Sequence, residues 1–476
     1  MKYLKVLLVY FTFNCLVHLP FLNIPPSGSH VWRQCNTLGM TRNFAEESMN
    51  IFAPRIDRRN ETNGITGSHF PLFEWQLAGV YKITGEHYIV ARLYSALIFS
   101  IAMMGIYTLL MQLGVGLKLA FAGGLGLLSI PQLYYDSINA MPDIYALGLA
   151  LLSAVFFIKD SKDRRVKYWI LAVVMAILGG LIKFQFLVIP FAFFSFYRID
   201  RSNIIRLISS LLMIIIPVVL WYRHAIALTQ LNNLREFGLW IKPISGAEKW
   251  QTVKGNLMSD LPELLIGYPL LLGITTVFFY RKFKFKKSAL FYTIFLWILG
   301  FGVFYILAIE RMQHHSYYFM AILPMVIVVF IKGISEIKNS WRYAYWVLAL
   351  NMVWAGVRIV PSRWVEGKRQ IPAEFMDVSK LNAIRSSIPK GSKCLVGPDK
   401  SGCIYFYFTD TEGYSFEDPQ ELLSEKAEGA FMDILYKAGV RYVICDQAEE
   451  MDKVMRQLPE WREYRAIGAF KIWTHR

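Results

Sequence analysis

The chain has 476 residues, 55% of them hydrophobic, 15% aromatic and only 18% charged, with a mean hydropathy of +0.36. A soluble protein of this length needs a far more polar surface, so composition excludes that class. The net charge of +16 would suit a nucleic-acid binder, but much of the basic charge lies in short segments between apolar runs, where it sets orientation in a membrane.

The chain opens with "MKYLKVLLVYFTFNCLVHLPFL", a basic end and an apolar core with no small-x-small cleavage site after it, which predicts an uncleaved signal anchor. Apolar runs then recur at 90–113, 118–134, 140–158, 168–183, 185–197, 204–222, 262–280, 288–308, 318–332 and 341–358, which with 4–22 predict about eleven transmembrane helices. The runs lack the alternation of barrel strands, and helices satisfy their own backbone in lipid. Placing Lys2 and Lys5 in the cytoplasm also keeps there Lys118, the Lys159–Lys167 cluster, Arg198, Arg201, Arg206, Lys282–Lys287, Lys332, Lys338 and Arg342. An odd number of spans puts the C-terminus outside.

Three outer segments are long: 23–89, 223–261 and the tail from about 360. In the first, Thr37–Met49 and Phe70–Ile83 are predicted as helices lying along the membrane surface. The tail changes character. "SKCLVG" and "VRYVIC" read as strands, Glu374–Ser387 and Ala430–Ala438 as helices, and Gly439 as a cap. The expectation is an α-helical polytopic membrane domain over 1–360 and a small extracytoplasmic α/β domain over 361–476. Five cysteines show no zinc spacing; Cys394 and Cys403 are a candidate pair in an oxidising compartment.

Polar residues gather on the outer side. "SHVWRQCNT" supplies His30, Arg33, Gln34 and Asn36, and the same loop adds Arg42, Glu46, Glu47, Asp57 and His69. Tyr135, Asp136 and Asp143 come from "YYDSINAMPD", Lys183 ends the fifth run, Arg223 and His224 follow the seventh, and "ERMQHHSYY" gives Glu310, Arg311, His314 and His315. Cations and carboxylates at one interface suit an anionic lipid head group with polar cargo. Each residue also has a structural alternative. Asn36 caps a helix starting at Thr37 or contacts substrate; Arg33 anchors the interface with Trp32 or binds phosphate. Glu46 and Glu47 sit late in a surface helix where solvated carboxylates are common. Asp143 follows Pro142 at a helix start, whose field stabilises a carboxylate and keeps it ionised. Lys183 snorkels or meets a lipid phosphate. His314 and His315 alone do not make a metal site.

In order and spacing, "HVWRQCNTLGMTRNF", "HFPLFEWQLAGVYKITGEHYIVARL", "YYDSINAMPD", "GGLIKFQFLVIP" and "HHSYYFMAILP" resemble the GT-C superfamily of membrane glycosyltransferases, the group of dolichyl-phosphate-mannose protein mannosyltransferases and aminoarabinose transferases, over residues 1–360. The resemblance implies a polyprenyl-phosphate sugar donor and a first outer loop that forms the active site. It also implies inverting transfer to a glycan, lipid or protein acceptor of the cell envelope, in a bacterial inner membrane. As such a transferase the chain would hold phosphate with Arg33, His69, Lys183 and His314 or His315, the histidine pair by the resemblance itself, with His30 and Arg42 also in the substrate-binding set. Gln34 and Asn36 orient sugar or acceptor, and Asp143, Glu47 and Glu46 supply acidic function. Relatives carry Asp, the assigned base, where this chain has Asn36, and an amide takes no proton at neutral pH. Some relatives require a divalent cation and others do not. Two rivals remain: a non-catalytic protein of the same fold that binds lipid-linked sugar, and a lipid-linked glycan transporter. The near absence of charge at span centres argues against the transporter.

Overall fold

Length and apolarity decide which segments can cross a bilayer. The computed structural model describes residues 2–234, 243–281, 288–313, 315–367, 371–426 and 429–476. Among them six helical segments are long and apolar enough to span: Tyr88–Gln112, Asp143–Asp163, Arg201–Leu231, Ala289–Leu307, Ser316–Ile334 and Ser340–Val365. A seventh, Gly246–Ile266 with Tyr268–Phe279, is bent by 99°. Tyr3–Val17, Leu117–Ser129, Val166–Ile182 and Phe184–Phe196 are shorter apolar helices. Each apolar run of the sequence is therefore met by helix, and the chain is an integral membrane protein. The run predicted at 185–197 is not one regular helix. It divides into a 3-10 turn Phe184–Leu187, a short α-helix Val188–Ala192 and a second 3-10 turn Phe193–Phe196. Pro190 lies in the middle of it, where it removes a backbone donor.

Chain contacts divide the molecule into two units: Met1–Asn23, Ile89–His224 and Leu239–Pro361 form the first, and Ile24–Tyr88, Ala225–Gly238 and Ser362–Arg476 the second. Among its described residues the first unit has helices and no strands. Ile205, Ile208, Leu212, Ile216 and Leu220 on Arg201–Leu231, and Phe295, Ile298, Leu299 and Ile306 on Ala289–Leu307, stay exposed, as lipid-facing side chains do. Inside, Phe157, Ala172, Val173, Ala176 and Ile214 form one packed cluster. Buried polar groups are paired where they hold helices together. Asp160 accepts from the Tyr197 hydroxyl at 2.6 Å and pairs with Arg206 at 3.2 Å.

Asn351 does the same at the sharp bend. The carboxamide sits fully buried in Ser340–Ile359 and donates to Ser129 O at 2.9 Å and Ile266 O at 3.0 Å. Its oxygen accepts from Leu270 N at 3.2 Å. Backbone groups freed by the break at Gly267, whose φ is +92° and whose Cβ position is taken by the Asn351 amide, are thus satisfied by a side chain.

In the second unit, β1 (Lys393–Gly397), β2 (Glu412–Ser415), the short pair β3 (Glu425–Lys426) and β4 (Gly429–Ala430), β5 (Tyr442–Cys445), β6 (Trp461–Ile467) and β7 (Phe470–His475) follow in sequence. The main sheet has the order β2-β1-β5-β7-β6. β1 pairs in parallel with β2 and β5, setting Val396 against Ser415 and Ile444, while β7 is antiparallel to β5 and β6. Leu395, Val443, Trp473, Leu435 and Met451 share its core. Both predicted strands and both predicted helices of the tail are present, as Val378–Ser386 and Phe431–Lys437, and Gly439 adopts φ +99° behind the latter. The expected Cys394–Cys403 bond is absent: both thiols are free and buried, Cys394 in β1 and Cys403 at the start of helix Ile404–Thr409.

The first outer loop folds within this second unit. Helix Val31–Glu46 buries twelve of its sixteen residues, so it is an interior helix and not the surface-lying Thr37–Met49 helix expected. The Phe70–Ile83 expectation corresponds to helix Leu72–Thr84. Met40, Phe44, Ile56 and Ala78 pack together beneath them. Asn60 N donates to Gly413 O at 3.0 Å and Gly413 N to Asp57 O at 3.2 Å, lacing the loop to β2.

Replacing Asn351 with Leu strands two carbonyls and one amide in an apolar interior. The expected loss is on the order of 2 kcal/mol or more, read as a lower unfolding temperature in detergent.

Candidate active site

In the first unit, helix Asp143–Asp163 starts immediately after Pro142. Asp143 is fully buried, and neither carboxylate oxygen has a hydrogen-bond partner among the described residues. The helix N-terminus supplies a favourable field but no direct contact. The preceding turn is held from inside: Asn139 Nδ2 donates to Tyr135 O at 2.7 Å, and the buried Arg92 donates to Asn139 Oδ1. Gln132 bonds to Asp136 and accepts from Ser316 Oγ at 2.8 Å.

Helices Asp143–Asp163 and Val166–Ile182 form an antiparallel pair joined by a two-residue turn, with Gly179 close against the Ala146 carbonyl and the Ala150 amide. The start of the first and the end of the second therefore share one end of the pair. Lys183 leaves the second helix in an extended conformation, φ −153° and ψ 111°. Its ammonium lies 5.7 Å from the Tyr317 ring and 5.1 Å from the Tyr318 ring, with no carboxylate partner among the described residues. The His315 ring stacks on Tyr317 at 5.3 Å and leans on Tyr318 at 5.9 Å. Two neighbouring tyrosines thus bring Lys183 and His315 together. His314 lies outside the described residues. Arg223 and His224, expected after a span, lie inside helix Arg201–Leu231.

In the second unit, helix Val31–Glu46 begins after His30, whose φ of +56° is left-handed. Asn36 is its sixth residue and caps nothing, because the helix starts six residues before the predicted Thr37. Trp32 and Asn36, one turn apart, are partly open, and the Asn36 amide makes no hydrogen bond among the described residues, whereas Arg33, Gln34 and Thr37 are buried. Gln34 Nε2 donates to Ser27 O at 3.2 Å and Ser29 O at 3.4 Å, folding the approach to the helix.

Arg33, His69 and Glu74 form a buried chain. Arg33 Nη2 meets His69 Nδ1 at 3.3 Å, and His69 Nε2 meets Glu74 Oε1 at 2.8 Å. A guanidinium only donates, so Nδ1 is the acceptor and Nε2 carries the hydrogen given to Glu74. Ser68 Oγ also approaches Nδ1, at 3.1 Å. His69 reaches this place through Gly67, where any Cβ would overlap the backbone of Ala225, and through Thr229 Oγ1, which donates to Gly67 O at 2.9 Å.

The remaining loop candidates are engaged in ion pairs. Arg42 pairs with Asp57 at 3.2 Å and Asp410 at 3.0 Å and donates to Tyr407 O at 3.1 Å. Burial pulls its pKa down, but Asp57, Glu86 and Asp410 push it up by more, so the guanidinium stays charged. Glu47 pairs with Arg55 at 3.1 Å and with Arg59, and Glu46 with Lys390 at 2.8 Å. These groups border a polar cleft of about 550 Å³ whose cations are all neutralised from within. Among the described residues no group of three His, Cys, Asp or Glu side chains could hold a metal ion.

Glu74, Arg92 and Gln185 were not singled out in the sequence. Glu74 and Gln185 sit in apolar helical runs where a polar residue at a core-facing position is the available signal. Arg92, in "IVARL", carried the same mark.

This is the fold of GT-C glycosyltransferases. Residues 68–222 match the family model described as dolichyl-phosphate-mannose-protein mannosyltransferase. No curated protein sequence matches the chain. Among solved structures, ArnT from Cupriavidus metallidurans in the apo state superposes with a TM-score of 0.63 at 13% identity, covering 98% of this chain and 97% of that one. The same protein bound to undecaprenyl phosphate gives 0.60 at 12% identity over 99% and 97%. The Archaeoglobus fulgidus oligosaccharyltransferase in the apo form gives 0.54 at 12%, over 94% of this chain and 70% of that one.

His69→Leu is expected to cost about 3–5 kcal/mol, because Glu74 is left buried without its partner. His69→Leu with Glu74→Leu should recover much of that loss. Thermal unfolding of the two single variants and the double variant measures the coupling.

Proposed function

We propose that this protein transfers a sugar from a polyprenyl-phosphate carrier to an envelope glycan, lipid or protein on the extracytoplasmic side of a bacterial inner membrane. The carrying observation is the Asp143 carboxylate, fully buried and, among the described residues, without a partner, at the same end of its helix pair as Lys183, a cation with no carboxylate beside it among those residues. The GT-C fold and the structure of ArnT with undecaprenyl phosphate support the donor class. The basic segments predicted for the cytoplasm support the sidedness, with the N-terminus inside and the tail outside.

The chemistry follows from charge. An acceptor oxygen attacks the anomeric carbon, the bond from that carbon to the phosphate oxygen breaks, and the electron pair leaves on the lipid phosphate. The polyprenyl phosphate that leaves is a phosphate monoester, stable as an anion without protonation, so one carboxylate suffices, unlike the two of a glycosidase. Lys183, steadied by Tyr317 and Tyr318 beside His315, balances the phosphate charge. Asp143 takes the acceptor proton. Glu46 and Glu47, spent in ion pairs, are poorer bases, and Asn36 can orient a hydroxyl but not accept its proton.

The second reading is a non-catalytic protein that binds and presents a lipid-linked sugar, and Asn36 is the residue that favours it. Purified chain in liposomes, given radiolabelled polyprenyl-phosphate sugars and a crude envelope acceptor fraction, separates the two. Transfer by the natural chain that falls about 10²–10⁴-fold in Asp143→Asn is the expected result. Transfer seen only after Asn36→Asp would establish the second reading.

A further inference from the structure

We propose that Gln185 is a sugar-recognition residue, whose carboxamide binds two neighbouring hydroxyls of the transferred sugar. The inference rests on the sugar-transfer reading and adds to it a residue that selects the cargo, separate from those assigned to phosphate or proton.

Gln185 is 1% exposed, and neither Nε2 nor Oε1 has a hydrogen-bond partner among the described residues. An amide shut away from water on both its donor and acceptor sides is costly, and native interiors rarely keep one idle. Its immediate neighbours in sequence offer it no polar side chain: Phe184 meets Tyr222 and Phe304 edge-on, and Phe186 is buried. Nor does the local turn use it: Val188 N takes the Gln185 carbonyl, and Phe186 N takes that of Lys183.

Its place in the fold gives the idle amide a use. The turn Phe184–Leu187 continues from Lys183 at the end of the helix pair where Asp143 starts, and it packs on both the Asp143 helix and the turn Ser316–Ala321. Asp143 is likewise buried and has no partner among the described residues. A carboxylate only accepts, whereas a carboxamide donates and accepts side by side. Two vicinal hydroxyls, one giving and one receiving, match the carboxamide, and a third hydroxyl can give its hydrogen to Asp143. A phosphate set directly against the carboxylate would be repelled, so the space beside Asp143 suits the neutral polyol, and the phosphate charge is left to Lys183 at the same end of the pair.

The test compares binding of undecaprenyl phosphate with binding of undecaprenyl-phosphate mannose, glucose and arabinose to the full chain in nanodiscs. The natural chain is expected to prefer at least one sugar-bearing lipid over the bare one. Gln185→Met, which keeps length but has no hydrogen-bonding amide, should cut that preference roughly tenfold, the scale of a lost hydrogen bond. Affinity for the bare lipid and the ligand-free unfolding temperature should not fall. If Gln185→Met keeps the preference, or if the natural chain binds all four lipids alike, the proposal is overturned and lipid binding stands. A lower ligand-free unfolding temperature with equal weakening of every lipid would make Gln185 a structural residue and also overturn it. Failure of the natural chain to bind any of the four would overturn the sugar-transfer reading along with it.

Discussion

A polar group removed from water must find a partner inside the protein, and in a chain this apolar few partners are at hand. That constraint organises the structure. Asn351 takes up the loose backbone of a broken helix, Asp160 is held by Tyr197 and Arg206, and Glu74 is reached by Arg33 through His69. Among the described residues Asp143 and Gln185 are not paired in this way, and the functional proposals rest on that exception.

The same accounting separates carboxylates that look alike. Glu46, Glu47 and Asp57 lie in a polar cleft with an arginine or lysine opposite each, so their charge is already balanced. Asp143 has the field of a helix start and, among the described residues, no counter-ion, which leaves its acceptor capacity for another molecule. Lys183 differs from Arg42 for the matching reason. Arg42 is fixed by two carboxylates, whereas Lys183 rests on the faces of two tyrosines, which steady a cation without neutralising it.

Much of the architecture could be read in advance, because hydrophobic runs and β-rich stretches are local. The helices, the strands around Cys394 and Tyr442 and the glycine after Lys437 all fell near their expected places. Helix ends were less legible. Asn36 looked like a cap because polar residues precede Thr37, yet helix Val31–Glu46 extends back through them, with Gln34 bonded to the approaching loop and Arg33 to His69, 36 residues on. The surface-lying helix was expected for a related reason: Glu46 and Glu47 read as solvated carboxylates, whereas they pair with Lys390 and with Arg55 and Arg59 from elsewhere in the chain. Asp143 and Lys183 were picked out by position, as charges at span ends. Gln185 and Glu74, set among aromatic residues, offer only the weaker signal of a polar side chain inside an apolar run.

The sequence by itself determined that the chain is a helical membrane protein with a small α/β tail, since segment length, apolarity and strand propensity are properties of consecutive residues. Only the tertiary structure decided which polar groups are spent on one another and which are left over. Pairing joins residues dozens or hundreds of positions apart, as Arg42 with Asp410, and no local pattern encodes it. The unspent groups, Asp143 and Gln185, are defined by what the rest of the fold does not offer them.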